Sequence, residues 1–463
     1  MPDVFIHGAA GTVTGSCFLL EFEDKRILLD CGLVQGRPAE EARNREPFPF
    51  EPDSLDAVIL SHAHLDHSGL LPRLVNAGFD GPIYTHYASR DIVEVLLEDA
   101  AWLNTREADF QNRRNGNGNG DEEAVEPLYT VEDVRACMGL IKPLDYDRSY
   151  DILPNVRLRL QDAGHILGSA VVCLDTRSGG AWKRLIHTGD LGQKGSALMP
   201  DWVSPESADL VLMESTYGDR CHRSRQETEF EIKQIIQSAA NGRGNILIPA
   251  FAVGRTQELL YLLGKHYNDW GLKGWQIFLD APLGIRATEI HARHDRYLRP
   301  EAAAWVRQTR FRFPNLRITE TPEQSIAINR IQSGAIIIAG SGMCSGGRIR
   351  HHFKHQIGRS ATQIIIAGFQ AEGTTGRQLV DGAPSIKLWG EDYRVNAQVH
   401  TVGGISAHAD REGLCEWLDG FTLPPQVALI HGEDSAREAL AATLKERFSI
   451  DAALPRLGDV LSY

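Results

Sequence analysis

Six consecutive residues, His62-Ala-His64-Leu-Asp66-His67, carry three imidazoles and a carboxylate. These side chains bind zinc well, and a catalytic zinc site needs several of them converging with coordination positions left open. His62 and His64 are two residues apart, so in an extended segment they point the same way. Asp66 and His67 follow where a helix begins and face a second position, so one loop can serve two adjacent metals. The remaining ligands must come from elsewhere. His165 closes an apolar run in DAGHILGS, Asp190 in IHTGDLG, His431 in ALIHGE and Asp30 in ILLDCG. Polar residues repeated at the C-terminal ends of apolar strands describe one rim of one sheet, where α/β proteins usually build sites.

The elements that carry these residues follow from the surrounding pattern. Residues 55–60 (LDAVIL) read as a buried strand, and Leu70, Leu71, Leu74 and Val75 before Gly78 read as a helix with a glycine stop, so the histidine cluster sits on a strand-to-helix loop. Up to about residue 215 the chain runs strand after strand, interrupted by helical stretches near 89–112 and 131–141. Between those stretches lies RRNGNGNGDEE (113–123), a low-complexity tip expected to be a tolerated, mobile loop insertion. From about 216 to 394 short apolar strands such as NILIPAF, QIFLDAP, AIIIAGSG and QIIIAGF alternate with helices, the pattern of a mostly parallel sheet. After Gln398 the site-like run HTVGGISAHAD is followed by a helix and VALIHGED. The layout is one domain, 1–212 and 395–463, interrupted by a second, 213–394.

With 463 residues, 42% hydrophobic and 24% charged, the chain is an ordinary globular one of two or three domains. No apolar run reaches membrane-spanning length, and MPDVFIHGAAG reads as a first strand in place of a signal peptide. Seven scattered cysteines with no C-x-x-C pair argue against a disulfide framework and a thiolate zinc site, and for a reducing cytoplasm. The net charge of −13 argues against a broad basic nucleic-acid face. Bound metals and a local basic patch can still reverse the field in one cleft.

HAHLDH resembles the H-x-H-x-D-H motif of the metallo-β-lactamase fold, and Asp30, His165 and Asp190 match its other three motifs in order. ESTYGD (214–219), PAFAVGRTQELL (249–260), DAPLG (280–284), GSGMCSGGR (340–348), GGISAHAD (403–410) and IHGE (430–433) resemble the β-CASP subfamily of that fold. The resemblance implies an α/β architecture: an αββα metallo-β-lactamase sandwich with an inserted β-CASP α/β domain closing over the metals. It implies two Zn2+ ions per chain, one held by His62, His64, His165 and Asp190, the other by Asp66, His67, Asp190 and His431, with Asp190 bridging. Asp30 resembles the carboxylate that orients a ligand histidine from behind. His408 resembles the proton donor to the leaving oxygen and Glu214 its partner, which with Asp66 make the catalytic set. From the residues alone, a structural hydrogen-bonded pair is the lesser alternative for His408 and Glu214. Members acting on RNA share a histidine at the position of His431, where the DNA-processing branch tends to have an apolar residue.

The implied activity is hydrolysis of RNA phosphodiesters to 5′-phosphate and 3′-hydroxyl ends, with endonucleolytic cleavage ahead of a 5′-to-3′ exonuclease mode. A small-molecule thioesterase or lactonase of the same fold is the competing expectation, and the large inserted cassette argues against it. Gly346, Gly347, Arg348, Arg350 and Arg377 are the expected contacts to single-stranded RNA, since glycine-rich backbone approaches phosphates closely. The spacings of His351 with His355 and of His291 with His294 also suit a helical metal pair, although phosphate contact or a solvated face is the simpler reading. No membrane partner is expected, and a homodimer is admitted.

Overall fold

The computed structural model describes residues 1–115 and 124–463; most of the glycine–asparagine tip lies outside them. The chain forms two compact units. The first comprises residues 1–194, 201–221 and 408–463, the second 195–200 and 222–407. The exchange points therefore fall beyond the expected 212 and 394. The strand Gln398–Thr401 explains the second shift: it pairs in parallel with Gln363–Ile366, an element of the second unit's sheet.

The first unit is the expected sandwich of two sheets with helices outside. A seven-stranded sheet begins at its edge with Val460–Ser462 against Asp3–Ile6, and continues through Phe18–Phe22, Lys25–Leu29, Ala57–Ile59, Ile83–His86 and Ile141–Leu144. A six-stranded sheet faces it, with Leu210–Met213 between Ala181–His187 and Gln426–Leu429. Leu210–Met213 shows why its sequence is an unbroken apolar run. Leu210 and Leu212 join the core between the sheets, while Val211 and Met213 join the core under the outer helices. A strand covered on both faces has no polar side to display. The helix Arg411–Asp419 supplies Leu414, Trp417 and Leu418 to that outer core, and Asp410 caps it by accepting the Gly413 N–H at 2.9 Å.

The second unit is built on a six-stranded, fully parallel sheet in the order Leu316–Ile318, Gln276–Asp280, Ala335–Ala339, Ile246–Pro249, Gln363–Ile366, Gln398–Thr401. Its central strand AIIIA is buried throughout. A two-stranded hairpin, Ser385–Leu388 with Glu391–Arg394, stands beside this sheet. Among the described residues, no helix is long and apolar enough to cross a membrane.

Candidate metal centre

Six strand ends meet on one rim of the first unit. Asp30 follows Lys25–Leu29, the histidine loop follows Ala57–Ile59, and His165 follows Val156–Asp162. Asp190, Glu214 and His431 follow Ala181–His187, Leu210–Met213 and Gln426–Leu429. His408 reaches the same rim through a bridge to Gly192 and the 2.7 Å bond from the Ala409 N–H to the Leu191 carbonyl. Asp30 (φ +58°) and His431 (φ +48°) adopt the left-handed backbone that non-glycine residues rarely occupy and that gathers at functional sites. Gly189 (φ +52°) must be glycine, since a Cβ there would come within 2.8 Å of the Ser61 Cβ.

His62, His64, His165 and Asp190 each offer one ligand atom, all within 4.8 Å of one another. His64 Nδ1 lies 3.2 Å from both His62 Nε2 and His165 Nε2, and Asp190 Oδ2 lies 3.4 Å from both Nε2 atoms. A tetrahedral ion with ligands at about 2.0–2.1 Å holds them about 3.3–3.4 Å apart, so this donor set has the dimensions zinc requires. Hydrogen bonds alone cannot explain it, because one proton on His64 Nδ1 serves only one of its two imidazole neighbours. A second set adjoins it. His67 Nε2 lies 3.3 Å from His431 Nε2 and 3.3 Å from Asp190 Oδ1, and His431 Nε2 lies 3.5 Å from Asp66 Oδ2. Asp190 Oδ1 is buried with no hydrogen-bond donor, the state of an oxygen shaped for a cation. Asp190 thus gives one oxygen to each set.

Burial, reinforced by the neighbouring His62, holds His64 down to about 3, and burial likewise holds His62 and His165 low, so their lone pairs are available for coordination. His67 behaves in the opposite way: burial opposes its charge, but Asp190 and Asp30 outweigh burial and raise it. Asp30 is the hub beneath. Its Oδ1 accepts the Ser61 N–H at 2.7 Å, and its Oδ2 faces Ser61 Oγ at 2.8 Å, His67 Nδ1 at 2.7 Å and His187 Nε2 at 2.8 Å. With donors on both oxygens, Asp30 is placed to fix the orientation of His67 from behind. Sequence reasoning missed His187, Ser61 and Thr216, whose Oγ1 lies 3.1 Å from His431 Nδ1. His187 ends its strand in the same manner as the ligands, which was the available signal.

His408 Nδ1 sits 3.3 Å from both oxygens of Glu214 and 3.9 Å from Asp190 Oδ2. Glu214 is fully buried and fixed by the Leu191 N–H at 2.7 Å. Burial disfavours the His408 imidazolium, yet Glu214 and Asp190 more than compensate and lift it to about 9.

The expected RNA contacts lie in the second unit, and they divide. Arg348 is committed inward: its guanidinium donates to Asp280 Oδ1 at 2.6 Å, to the Thr319 carbonyl at 3.0 Å and to the Glu320 carbonyl at 2.7 Å. These bonds tie the residue after the glycine-rich loop to the Asp280 strand and to the segment at 319–320. Gly347 (φ +67°) packs so closely that a Cβ would meet the Gly340 carbonyl at 2.3 Å, while Gly346 has open space. Arg350 stacks over Trp389, and Arg377 pairs with Asp381 on an exposed helix turn. His352, between His351 and His355, points inward to Asp280 at 2.7 Å. Buried His291 turns Nδ1 to the Ala287 carbonyl at 2.8 Å, and neither it nor His294 joins a group of three donors among the described residues.

Residues 10–132 match the model of the metallo-β-lactamase superfamily, 256–379 that of the Beta-Casp domain, and 392–455 that of the Zn-dependent metallo-hydrolase RNA specificity domain. The chain is 39% identical over 454 residues to a ribonuclease of Thermus thermophilus, covering 98% of each chain. It is 32% and 34% identical to the transcription termination factor FttA of Methanocaldococcus jannaschii and Thermococcus kodakarensis, with 97% and 98% of this chain spanning 69% and 70% of those proteins. A crystal structure of a protein of unknown function from Enterococcus faecalis aligns over 99% of both chains with a TM-score of 0.56 at 15% identity, a likeness of fold alone.

Proposed function

This chain belongs to the β-CASP ribonucleases of the metallo-β-lactamase superfamily, metal-dependent RNA hydrolases, and from that premise we propose a dinuclear zinc endoribonuclease that leaves 5′-phosphate and 3′-hydroxyl ends. The observation that carries this reading is a single carboxylate, Asp190, giving one oxygen to each of two adjoining donor sets. His62, His64 and His165 complete one set, and Asp66, His67 and His431 the other. Two zinc ions held there would supply Lewis-acid activation of water and neutralise charge on the scissile phosphate. Water adds to phosphorus, the bond from phosphorus to the 3′-oxygen breaks, and that oxygen needs a proton. His408 delivers it through Nε2, because Nδ1 faces Glu214. Glu214 is a positioning residue that acts through His408. Gly346, Arg350 and Arg377 are the side of the β-CASP unit that meets RNA, with Arg348 and Gly347 shaping the loop. The seven cysteines are all free, which fits a cytoplasmic location.

The proton donor is tested with a substrate carrying a 3′-bridging sulfur, whose leaving group needs no protonation. His408→Ala should lose about 10²- to 10⁴-fold in rate on ordinary RNA, keep its metal, and recover on the sulfur substrate. Absence of rescue, or loss of metal, would remove His408 from the role. A circular RNA tests the cleavage mode: an endonuclease opens it, and an intact circle beside degraded linear RNA would make the enzyme an exonuclease.

A further inference from the structure

The hairpin of the second unit carries a tryptophan that neither turn chemistry nor core packing calls for. Its two-residue turn is Trp389-Gly390, with φ of +50° and +86°. Both positions of such a turn favour Asn, Asp or Gly, and a bulky side chain rarely adopts the first. Ile386 and Leu388 already fill the hairpin's buried face, whereas Trp389 stays 49% exposed.

Its neighbours are cationic. The helix Ile349–Gln356 buries Ile349, His352, Phe353 and Gln356, which leaves Arg350, His351, Lys354 and His355 along its other face. The Arg350 guanidinium lies 4.5 Å from the Trp389 ring, and the His351 ring lies 4.6 Å away at 39°. Lys354 Nζ lies 5.9 Å from the Tyr393 ring. On the hairpin, Glu391 and Asp392 offset Lys387 and Arg394, so the net positive charge comes from the helix. An exposed aromatic face beside a row of cations is the arrangement that holds unpaired nucleic acid: the ring stacks a base and the cations take the flanking phosphates.

We propose that Trp389 is a stacking platform for one base of single-stranded RNA, with Arg350 and Lys354 taking the adjacent phosphates. The proposal rests on the ribonuclease reading and adds a base-holding site to it. Because every base has a π-face, the platform is indifferent to sequence.

The test is fluorescence anisotropy with a labelled RNA of about 12 nucleotides, phosphorothioate-linked to slow turnover, and its abasic counterpart. Trp389→Ala should weaken binding of the RNA about 5- to 150-fold, the range found when stacked aromatics are truncated, and Trp389→Phe should keep most of the affinity. The abasic strand should bind wild type and Trp389→Ala alike, which a misfolded hairpin would not produce. Lys354→Ala should flatten the logarithmic salt dependence by about 0.7, while Trp389→Ala leaves it unchanged. Tight binding by wild type beside an unaffected Trp389→Ala overturns the platform alone, as does an equal loss on the abasic strand. A change in sedimentation without a change in RNA affinity would make Trp389 a contact between copies and overturn it too. If wild type binds neither strand, the ribonuclease reading fails, and the platform with it.

Discussion

Two buried carboxylates, one in each unit, solve the same physical problem with different consequences. Asp30 stands just after the strand Lys25–Leu29, Asp280 ends Gln276–Asp280, and neither is exposed to solvent. Each is surrounded by four donors. Those of Asp30 are Ser61 N, Ser61 Oγ, His67 Nδ1 and His187 Nε2. Those of Asp280 are Thr319 Oγ1, Ser325 Oγ, Arg348 Nη1 and His352 Nε2, at 2.6–2.7 Å. In both, burial opposes the charge and the donors overcome it, holding Asp30 well below the carboxylate range and Asp280 at about 2. They differ in what the partners do next. His67 turns its other nitrogen to Asp190 and His431, whereas Arg348 and His352 open the helix that follows the glycine-rich loop. One array orients a histidine of the candidate donor set and the other secures a loop and a helix, so perturbing each should move a different observable.

The largest effect should come from Asp190→Ala, which removes an oxygen from both donor sets. Elemental analysis should find both metals lost, and turnover of RNA should fall by more than about 10⁴-fold, a fraction of the acceleration typical of enzymes. Full metal occupancy in this variant would dissolve the assignment on which the comparison stands. Next comes Asp280→Asn, which leaves half-buried Arg348 without its counter-charge inside the array around buried Asp280. We expect about 3–5 kcal/mol less stability by denaturant unfolding, weaker RNA binding, and metal content unchanged. Metal loss here would show that the two arrays are not separate devices.

Asp30→Asn should act on the other observable, lowering metal affinity or activity about 10- to 100-fold, as expected for groups that orient ligands from behind. Competition with a chelator measures it; unaltered affinity would mean that His67 is held well enough by Ser61 and its packing. Acid titration sharpens the contrast further. The Asp280 carboxylate is depressed in the folded state, so its contribution is present above the unfolded value near 3.9 and lost as pH falls through about 2. The stability gap between wild type and Asp280→Asn should therefore narrow by about 2–3 kcal/mol between pH 5 and pH 2. A gap constant across that range would mean that the carboxylate charge is not what the donors hold. The smallest effect belongs to Arg377→Ala. Its exposed pair with Asp381 contributes at most about 0.5 kcal/mol to stability, but under the proposed RNA contact its removal should lower the salt slope by about 0.7.

Local pattern carried a great deal. Apolar runs closed by His, Asp or Glu were legible because a strand's last residue and its alternation are properties of a few neighbouring positions. For the same reason helices near 89–112 and 131–141 correspond to Tyr87–Asn115 and Val131–Leu140. The edge strand Val460–Ser462 was not legible, since only its pairing with Asp3–Ile6, almost the whole chain away, makes it a strand. The exchange of units at His408 was hidden likewise, because Gln398–Thr401 looks the same whichever sheet receives it.

The metal-binding character of HAHLDH and of the strand ends at 165, 190 and 431 is legible in sequence, because residue type and spacing decide which groups can coordinate. Whether a charged side chain faces inward or outward is decided only by tertiary structure. Arg348 and Arg350 are two residues apart in a basic run and read alike. One is drawn to Asp280, a partner 68 positions earlier, and the other lies on Trp389, 39 positions later. A long, flexible cationic side chain has no intrinsic preference between these fates. The nearest buried carboxylate or aromatic face, brought close by the fold, makes the choice.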